Sequence, residues 1–171
     1  MSTEHVRAVE AVLLAHPDVQ EAAAIVMDGG LAAAVVPVDF ASSPAIRDHA
    51  WAALGDPAAP RTVTLLAELP RDGAGEVDRA ALRRVLTEED RPTSAYAPPR
   101  TEREAEVAEV LRQVLDVPRV GLDDDFLELG GDSLRGIEVV NLLRERVGLQ
   151  VELEDLFDAS TVRDLARNAE P

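Results

Sequence analysis

The spacing of hydrophobic residues changes character along this chain. Near the start, Val6, Val9 and Leu13 recur at helical spacing, and the pattern stops before Pro17. Two apolar runs follow, at residues 22–27 and 31–38, on either side of Asp28-Gly29-Gly30. Asp-Gly tolerates the positive φ angles of a tight turn between strands. The pattern therefore predicts a helix followed by an antiparallel pair of strands.

Further elements are predicted up to about residue 90. Ser43-Pro44 supplies an N-cap and a first-turn proline for a helix that reaches about Leu54. Residues 61–66 form a third apolar run, and Asp78 caps a last helix that runs through about Val85. We therefore predict that residues 1–90 fold as a small α+β subdomain with three strands and about three helices.

Residues 91–100 carry three prolines and small side chains with no apolar period, which predicts a linker. After it, Thr101 and Glu104 have the spacing of a capping box. They open a helix whose apolar face repeats at helical spacing, at Val107, Val110, Leu111, Val114 and Leu115. A long loop, a helix from Ser133 to about Val147 that ends at Gly148, a short helical turn at 153–157 and a helix from Thr161 follow. Residues 101–171 are thus predicted to be an all-α four-helix bundle.

Composition narrows the functional class. The formal net charge is −16, and all 17 basic residues are arginine. This charge opposes nucleic acid and anionic membranes and favours partners with basic surfaces, although an acidic excess also serves solubility alone. No apolar run approaches the length needed to cross a bilayer, and the N-terminus lacks the features of a signal peptide. We expect a cytoplasmic monomer.

The chain offers little for thiol or metal chemistry. It has no cysteine, and His5, His16 and His49 are scattered without the spacing of metal ligands. The three aspartates at 123–125 lack the glycine and terminal glutamate of a calcium loop, so we interpret them as a solvated loop with one capping carboxylate. No metal site is predicted.

The segment from Leu129 to Leu134 carries the chemistry. Gly130 and Gly131 let the backbone turn sharply into a helix, which leaves Ser133 in the first exposed turn. An anion attached to this hydroxyl would lie beside unpaired N–H groups and the positive end of the helix dipole. On its own, the motif is far more typical of a serine that only caps a helix.

The context of the motif resembles the peptidyl carrier domains of nonribosomal peptide synthetases. The likeness covers about 70 residues and includes the run 120–126, Leu156-Phe157 and Thr161-Val162. It implies that a phosphopantetheinyl transferase attaches 4′-phosphopantetheine from coenzyme A to Ser133, with Asp132 and Leu134 beside it. The thiol of the arm would then hold an aminoacyl or acyl group as a thioester. The resemblance also implies a separate adenylation enzyme as partner, later condensation or tailoring enzymes, and no catalytic residue in the carrier.

The helix that follows Ser133 has two apolar faces. Its predicted core face comprises Gly136, Val139, Val140, Leu143 and Val147. Leu134 and Ile137 fall on the other side, next to the serine, which predicts a docking patch for partner enzymes. The alternative is that both side chains pack against the preceding loop.

Residues 5–87 resemble the small C-terminal subdomain of adenylation enzymes. The run 69–82 is similar to the last signature segment of that family, and His16-Pro17 matches its start. The family has a lysine that balances negative charge as the acyl adenylate forms. Glu76 occupies that position here, and only Arg71 or Arg79 could compensate. We therefore interpret residues 1–90 as a subdomain without adenylation chemistry.

Two functional hypotheses follow. In the first, the chain is a non-catalytic carrier protein, loaded in trans by a separate adenylation enzyme. In the alternative, residues 1–90 complete a truncated adenylation core on another chain and form a split enzyme. Glu76 argues against the alternative. A third interpretation is that the chain is a segment of a longer synthetase.

Overall fold

A computed structural model describes residues 3–39, 41–56, 58–88, 93–158 and 161–167. The chain divides into two compact units, Met1–Ala95 and Tyr96–Pro171. The first unit is α+β, and in the second unit the described elements are helices.

The first unit is built on a mixed four-stranded sheet. Its strands are β1 (Val19–Met27), β2 (Gly30–Pro37), β3 (Thr62–Leu65) and β4 (Thr93–Ala95), in the order β1-β2-β3-β4. β1 and β2 form the predicted antiparallel hairpin. β3 runs parallel to β2, and β4 runs antiparallel to β3. The prediction of three strands was wrong because it omitted β4.

Strand β4 lies inside the segment that we predicted to be a linker, 91–100. It carries no apolar signal, because its residues are Thr93, Ser94 and Ala95. Polar contacts hold it instead. The Thr93 and Thr64 hydroxyls lie 2.8 Å apart, and the fully buried Arg47 donates to the Ser94 hydroxyl at 2.9 Å. Arg47 also pairs with the buried carboxylate of Asp48.

Helices cover both faces of this sheet. They are α1 (Thr3–Leu14), α2 (Ser43–Leu54) and α3 (Arg79–Leu86). Val9 and Leu13 of α1 and Ile46 of α2 pack on one face, and Leu82 of α3 packs on the other. Strand β2 is apolar without alternation because both of its faces are covered.

The predicted caps are correct for one helix and displaced by one residue for another. Asp78 caps α3 by accepting the N–H groups of Ala80 and Ala81. In α2 the N-cap is Ser42 and not Ser43, because the Ser42 hydroxyl accepts the Ala45 N–H at 3.2 Å. Ser43 is the first helical residue instead and is buried.

Two histidines that are scattered in sequence meet in the first unit. The rings of His16 and His49 lie edge to face, with their centroids 5.1 Å apart. Burial, and to a lesser extent the charge of His49, lowers the pKa of His16, although Asp18 at 3.9 Å acts in the opposite direction. The fold therefore favours the neutral form of His16.

This preference predicts that the first unit loses stability as the pH falls from about 7 towards 5. A folded-state pKa below the unfolded value gives stabilisation that is complete above about 6.5 and is lost on acidification. Denaturant unfolding of the His16→Gln variant should depend less on pH in this window than unfolding of the natural chain. An equal slope for both would contradict the assignment, and His5→Gln serves as the control.

The second unit consists of helices joined by loops. They are α4 (Glu102–Leu115), α5 (Ser133–Leu142), α6 (Leu153–Asp158) and α7 (Val162–Arg167). The predicted capping box is present: Thr101 accepts the N–H of Glu104, and the Glu104 carboxylate accepts the N–H of Thr101. α5 continues as a π-helical turn, Leu143–Val147, which ends at Gly148 with φ 74°. In the part of the chain that the structure describes, no helix is long and apolar enough to cross a membrane.

Candidate functional site

The loop that precedes α5 is fixed by its own side chains. Leu122 and Phe126 are fully buried in the core of the second unit, and the Phe126 ring packs edge to face against Phe157 of α6. The buried carboxylate of Asp124 accepts the N–H of Gly121 at 2.8 Å. These buried side chains thus anchor the loop in the core before it reaches α5.

The other two aspartates of the acidic run also have structural partners. Asp125 accepts the N–H groups of Leu127 and Glu128. Asp123 accepts two hydrogen bonds from Arg163 of α7, at 2.6 and 3.1 Å, and these hydrogen bonds lower its pKa. All three aspartates therefore organise the loop, and our expectation of a single capping carboxylate was wrong. Among the described residues, no group of three or more potential ligand side chains could hold a metal ion.

The two glycines before α5 are required for different reasons. Gly130 has φ 89°, a conformation that side chains strongly disfavour. Gly131 is required for space: a Cβ there would lie 2.5 Å from the backbone oxygen and the ring of Phe126. Its N–H donates to that same oxygen at 2.9 Å. Phe126 and Gly131 thus set the point at which the helix can begin.

The helix is capped by Asp132 and not by Ser133. The Asp132 carboxylate accepts the N–H of Arg135 at 2.9 Å, and its φ of −140° is extended. Ser133 is the first helical residue and is exposed. Among the residues that the structure describes, none forms a hydrogen bond to its hydroxyl. The interpretation of Ser133 as an N-cap is therefore wrong, and its hydroxyl is available for chemistry.

Two apolar side chains stand in solvent beside this serine. Leu134 is 81% exposed and Ile137 is 50% exposed. Neither packs into the core of the unit, whereas Gly136, Val139 and Val140 on the opposite face of α5 are buried. The structure therefore contradicts the alternative in which the preceding loop covers Leu134 and Ile137.

Sequence reasoning missed Arg135 in this region, and it placed Gly136 on the core face without predicting the close helix contact that this glycine allows. Arg135 reaches back along the loop and donates to the Gly130 carbonyl at 2.9 Å, which ties the turn to the first turn of α5. Gly136 allows α6 to approach closely, since a Cβ there would lie 2.8 Å from Leu153 Cδ1. Glycine within a helical apolar pattern was the signal that could have indicated this close contact.

The segment around Glu76 in the first unit is an exposed turn. The Glu76 N–H donates to the Asp72 carboxylate at 3.0 Å, and its carbonyl accepts the Asp72 N–H at 2.8 Å. Arg71 and Arg79, which the sequence offers as possible compensating cations, both have carboxylate partners. Arg71 pairs with Glu21, and Arg79 pairs with Glu10 at 3.0 Å.

Two family models match the chain. Residues 105–168 match the phosphopantetheine attachment site family, and residues 8–76 match the AMP-binding enzyme C-terminal domain family. The second match ends at Glu76. Together the two models cover α5, α6, α7 and most of α4 in the second unit, and β1, β2, β3, α2 and part of α1 in the first.

Proteins with similar sequences are nonribosomal peptide synthetases. A dimodular nonribosomal peptide synthase of Bacillus subtilis is 36% identical over 95% of this chain, which corresponds to 7% of that protein. Tyrocidine synthase 1 of Brevibacillus parabrevis is 31% identical over 92% of this chain and 15% of its own length. A solved nonribosomal peptidyl carrier domain is 37% identical, with a TM-score of 0.41, over 44% of this chain and 96% of its own. The chain thus spans only a small part of these synthases.

The second unit is therefore a phosphopantetheine-binding carrier domain. The chain joins this carrier to a C-terminal domain of the AMP-binding enzyme type, and its sequence is similar to segments of nonribosomal peptide synthetases. Domains of the carrier family hold 4′-phosphopantetheine as a covalent cofactor. An exposed hydroxyl at the start of a helix, with no hydrogen-bond partner in the described part of the chain, fits such an attachment.

Proposed function

We propose that the chain carries an aminoacyl or acyl group as a thioester on a phosphopantetheine arm attached to Ser133. The observation that supports this most strongly is that the residue that caps α5 differs from the residue that presents the hydroxyl. Asp132 caps the helix, which leaves the Ser133 hydroxyl exposed and unengaged by the described residues. The arm supplies the thiol that a chain without cysteine lacks.

The protein's own contribution is to present the hydroxyl. A phosphopantetheinyl transferase must reach Ser133 from solvent. The hydroxyl oxygen then forms the new phosphodiester bond to the phosphorus that bears pantetheine, the diphosphate bond of coenzyme A breaks, adenosine 3′,5′-bisphosphate leaves, and the serine proton passes to the transferase or to solvent. The fixed loop from Asp124 to Gly131 holds the serine in one place while it reacts. The resulting negative charge lies at the positive end of the α5 dipole, which favours it.

We further propose that Leu134 and Ile137 form the surface on which partner enzymes dock. An apolar pair that remains in solvent next to the modified residue stabilises the fold little, and its burial by a partner is favourable. The transferase, an adenylation enzyme and later condensation or tailoring enzymes would each need this surface, because the transferase must approach Ser133 and the others must approach the arm attached to it.

The Ile137→Asp variant tests this surface. It should reduce the rate of aminoacyl loading by an adenylation enzyme at least about tenfold, since one buried aliphatic side chain contributes roughly 1.5–3 kcal/mol. Helicity should be unchanged because the side chain is outside the core. Loading is measured by intact mass after incubation with the enzyme, ATP and the amino acid.

The matched control for this test is Val38→Asp, which places the same charge on an exposed apolar residue of the first unit. It should load at the natural rate. A loss of helicity in Ile137→Asp, or an equal effect of the two variants, would contradict the docking role.

We infer that residues 1–90 do not complete an adenylation site, so that the carrier is loaded in trans. At the position of the family's lysine, Glu76 replaces a cation with an anion where negative charge develops, which disfavours the chemistry strongly. Arg71 and Arg79 are poor substitutes because each is already paired with a glutamate. These contacts favour the carrier over the split enzyme.

A further inference from the structure

A groove crosses the first unit on the side away from strand β2. It has a volume of about 610 Å³ and is bounded by α1, β1 and α3. Ala24, Ile25 and Val26 of β1 line it together with Val6 of α1. The carrier site at Ser133 belongs to the other unit, so the proposed function makes no use of this groove.

Three arginines line the same groove: Arg7 from α1, and Arg79 and Arg83 from α3. Among the described residues, Glu10 is the one acidic residue that pairs with any of these arginines, and it pairs with Arg79. The groove is therefore locally cationic in a chain whose net charge is −16. This local positive charge favours an acidic ligand, because salt screens the more distant negative charges of the chain.

Two of the arginines are held in place before any ligand arrives. Arg79 donates to the Ala24 carbonyl at 2.5 Å, and Arg83 donates to the Val26 carbonyl. Each guanidinium has five N–H donors in a planar fork, so these contacts leave donors for a ligand. A side chain that is already ordered loses little entropy on binding.

Arg7 differs from the other two arginines. It is exposed, and in the described part of the chain its guanidinium has no hydrogen bond or ion pair. Its charge therefore stabilises no contact within the described part of the unit. Arg7 and Arg83, which have no carboxylate partner among the described residues, thus give the groove two positions for the carboxylates of a ligand.

The same contacts disfavour one mode of binding. β1 is the end strand of the sheet, and its outward main-chain groups would otherwise pair with an added strand. Here Glu10 accepts the Ala24 N–H at 2.9 Å, while the arginines occupy the Ala24 and Val26 carbonyls. At Ala24 and Val26 an added strand would have to displace these contacts, which favours binding through the side chains of the ligand.

We propose that this groove binds an extended acidic segment of a partner protein. The carboxylates of the segment lie on Arg7 and Arg83, and its apolar side chains lie on Val6 and Val26. Val26 is 40% exposed, so this contact buries apolar surface that the unit itself leaves in solvent. The groove is a second interaction surface, independent of the arm at Ser133.

Fluorescence anisotropy of the full chain with a labelled peptide tests the proposal. The probe is a ten-residue peptide in which glutamate alternates with valine and leucine. Arg7→Gln should weaken its binding about tenfold, the loss of one charge-assisted contact, without affecting the fold. Arg83→Gln should weaken it similarly. Arg84→Gln is the matched control, because Arg84 is the next residue of α3 and does not line the groove.

Several outcomes would overturn the proposal. They are the absence of binding at millimolar peptide, an effect of Arg84→Gln equal to that of Arg7→Gln, and equal binding of a peptide with glutamine in place of glutamate. The proposal would also be overturned if pyrophosphate displaced the labelled peptide and if a peptide made only of glutamate and serine bound as tightly as the labelled one. That pair of results would identify a site for small anions.

Discussion

The Ser133→Ala variant should gain no mass when it is incubated with coenzyme A and a promiscuous phosphopantetheinyl transferase, whereas the natural chain should gain one phosphopantetheine. The expected effect is complete, because alanine has no oxygen with which to form the phosphodiester. The fold should be unchanged, since the helix is capped by Asp132 and not by the serine. Intact mass spectrometry measures the result.

Ser42→Ala is the control for this experiment. Ser42 also stands at the start of a helix, but its hydroxyl accepts the Ala45 N–H. The variant should lose roughly 1 kcal/mol of stability in the first unit and should still be modified at Ser133. A natural chain that gains no mass, or a Ser133→Ala chain that does, would refute the carrier assignment.

The Gly131→Ala variant should destabilise the carrier domain severely, by on the order of 3 kcal/mol. The added methyl group would lie 2.5 Å from the Phe126 backbone oxygen, and an oxygen that anchors a loop cannot rotate away as a side chain can. Phe126 is fully buried, so movement of its backbone also disturbs the core. Modification of Ser133 should slow together with the loss of structure.

Denaturant unfolding of the second unit, followed by helicity, measures this effect. Gly73→Ala is the control, because no atom lies within 4 Å of the position of its Cβ and its φ is not in the left-handed region. It should leave stability nearly unchanged. If Gly131→Ala unfolded at the same denaturant concentration as the natural chain, the steric role of Gly131 would be disproved.

Sequence patterns predicted those elements whose signals are local. The hairpin around Gly29, the capping box at Thr101 and the C-cap at Gly148 each depend on a few adjacent residues, and each is present. Helical periodicity likewise separated the buried face of α5 from Leu134 and Ile137. Such signals need no knowledge of the rest of the chain.

Features that depend on distant residues could not be predicted in this way. Strand β4 exists because Arg47, 47 positions away in sequence, reaches Ser94, and no pattern within residues 93–95 records that contact. The pairing of Asp123 with Arg163 spans 40 positions, and the histidine rings meet only because α1 and α2 pack on one face. The choice between Asp132 and Ser133 as cap was local but required dihedral angles.

The cap at Asp132 separates the reactive group of the carrier from the bonds that hold it folded. A serine that also capped its helix would lose that bond on modification, and the bare and modified forms would then differ in stability. Here the cap is one residue earlier, and the arm can be added or removed while the helix start keeps its hydrogen bonds. With the arm on Ser133, as we propose, loading and reloading the carrier would leave the hydrogen bonds that start α5 intact.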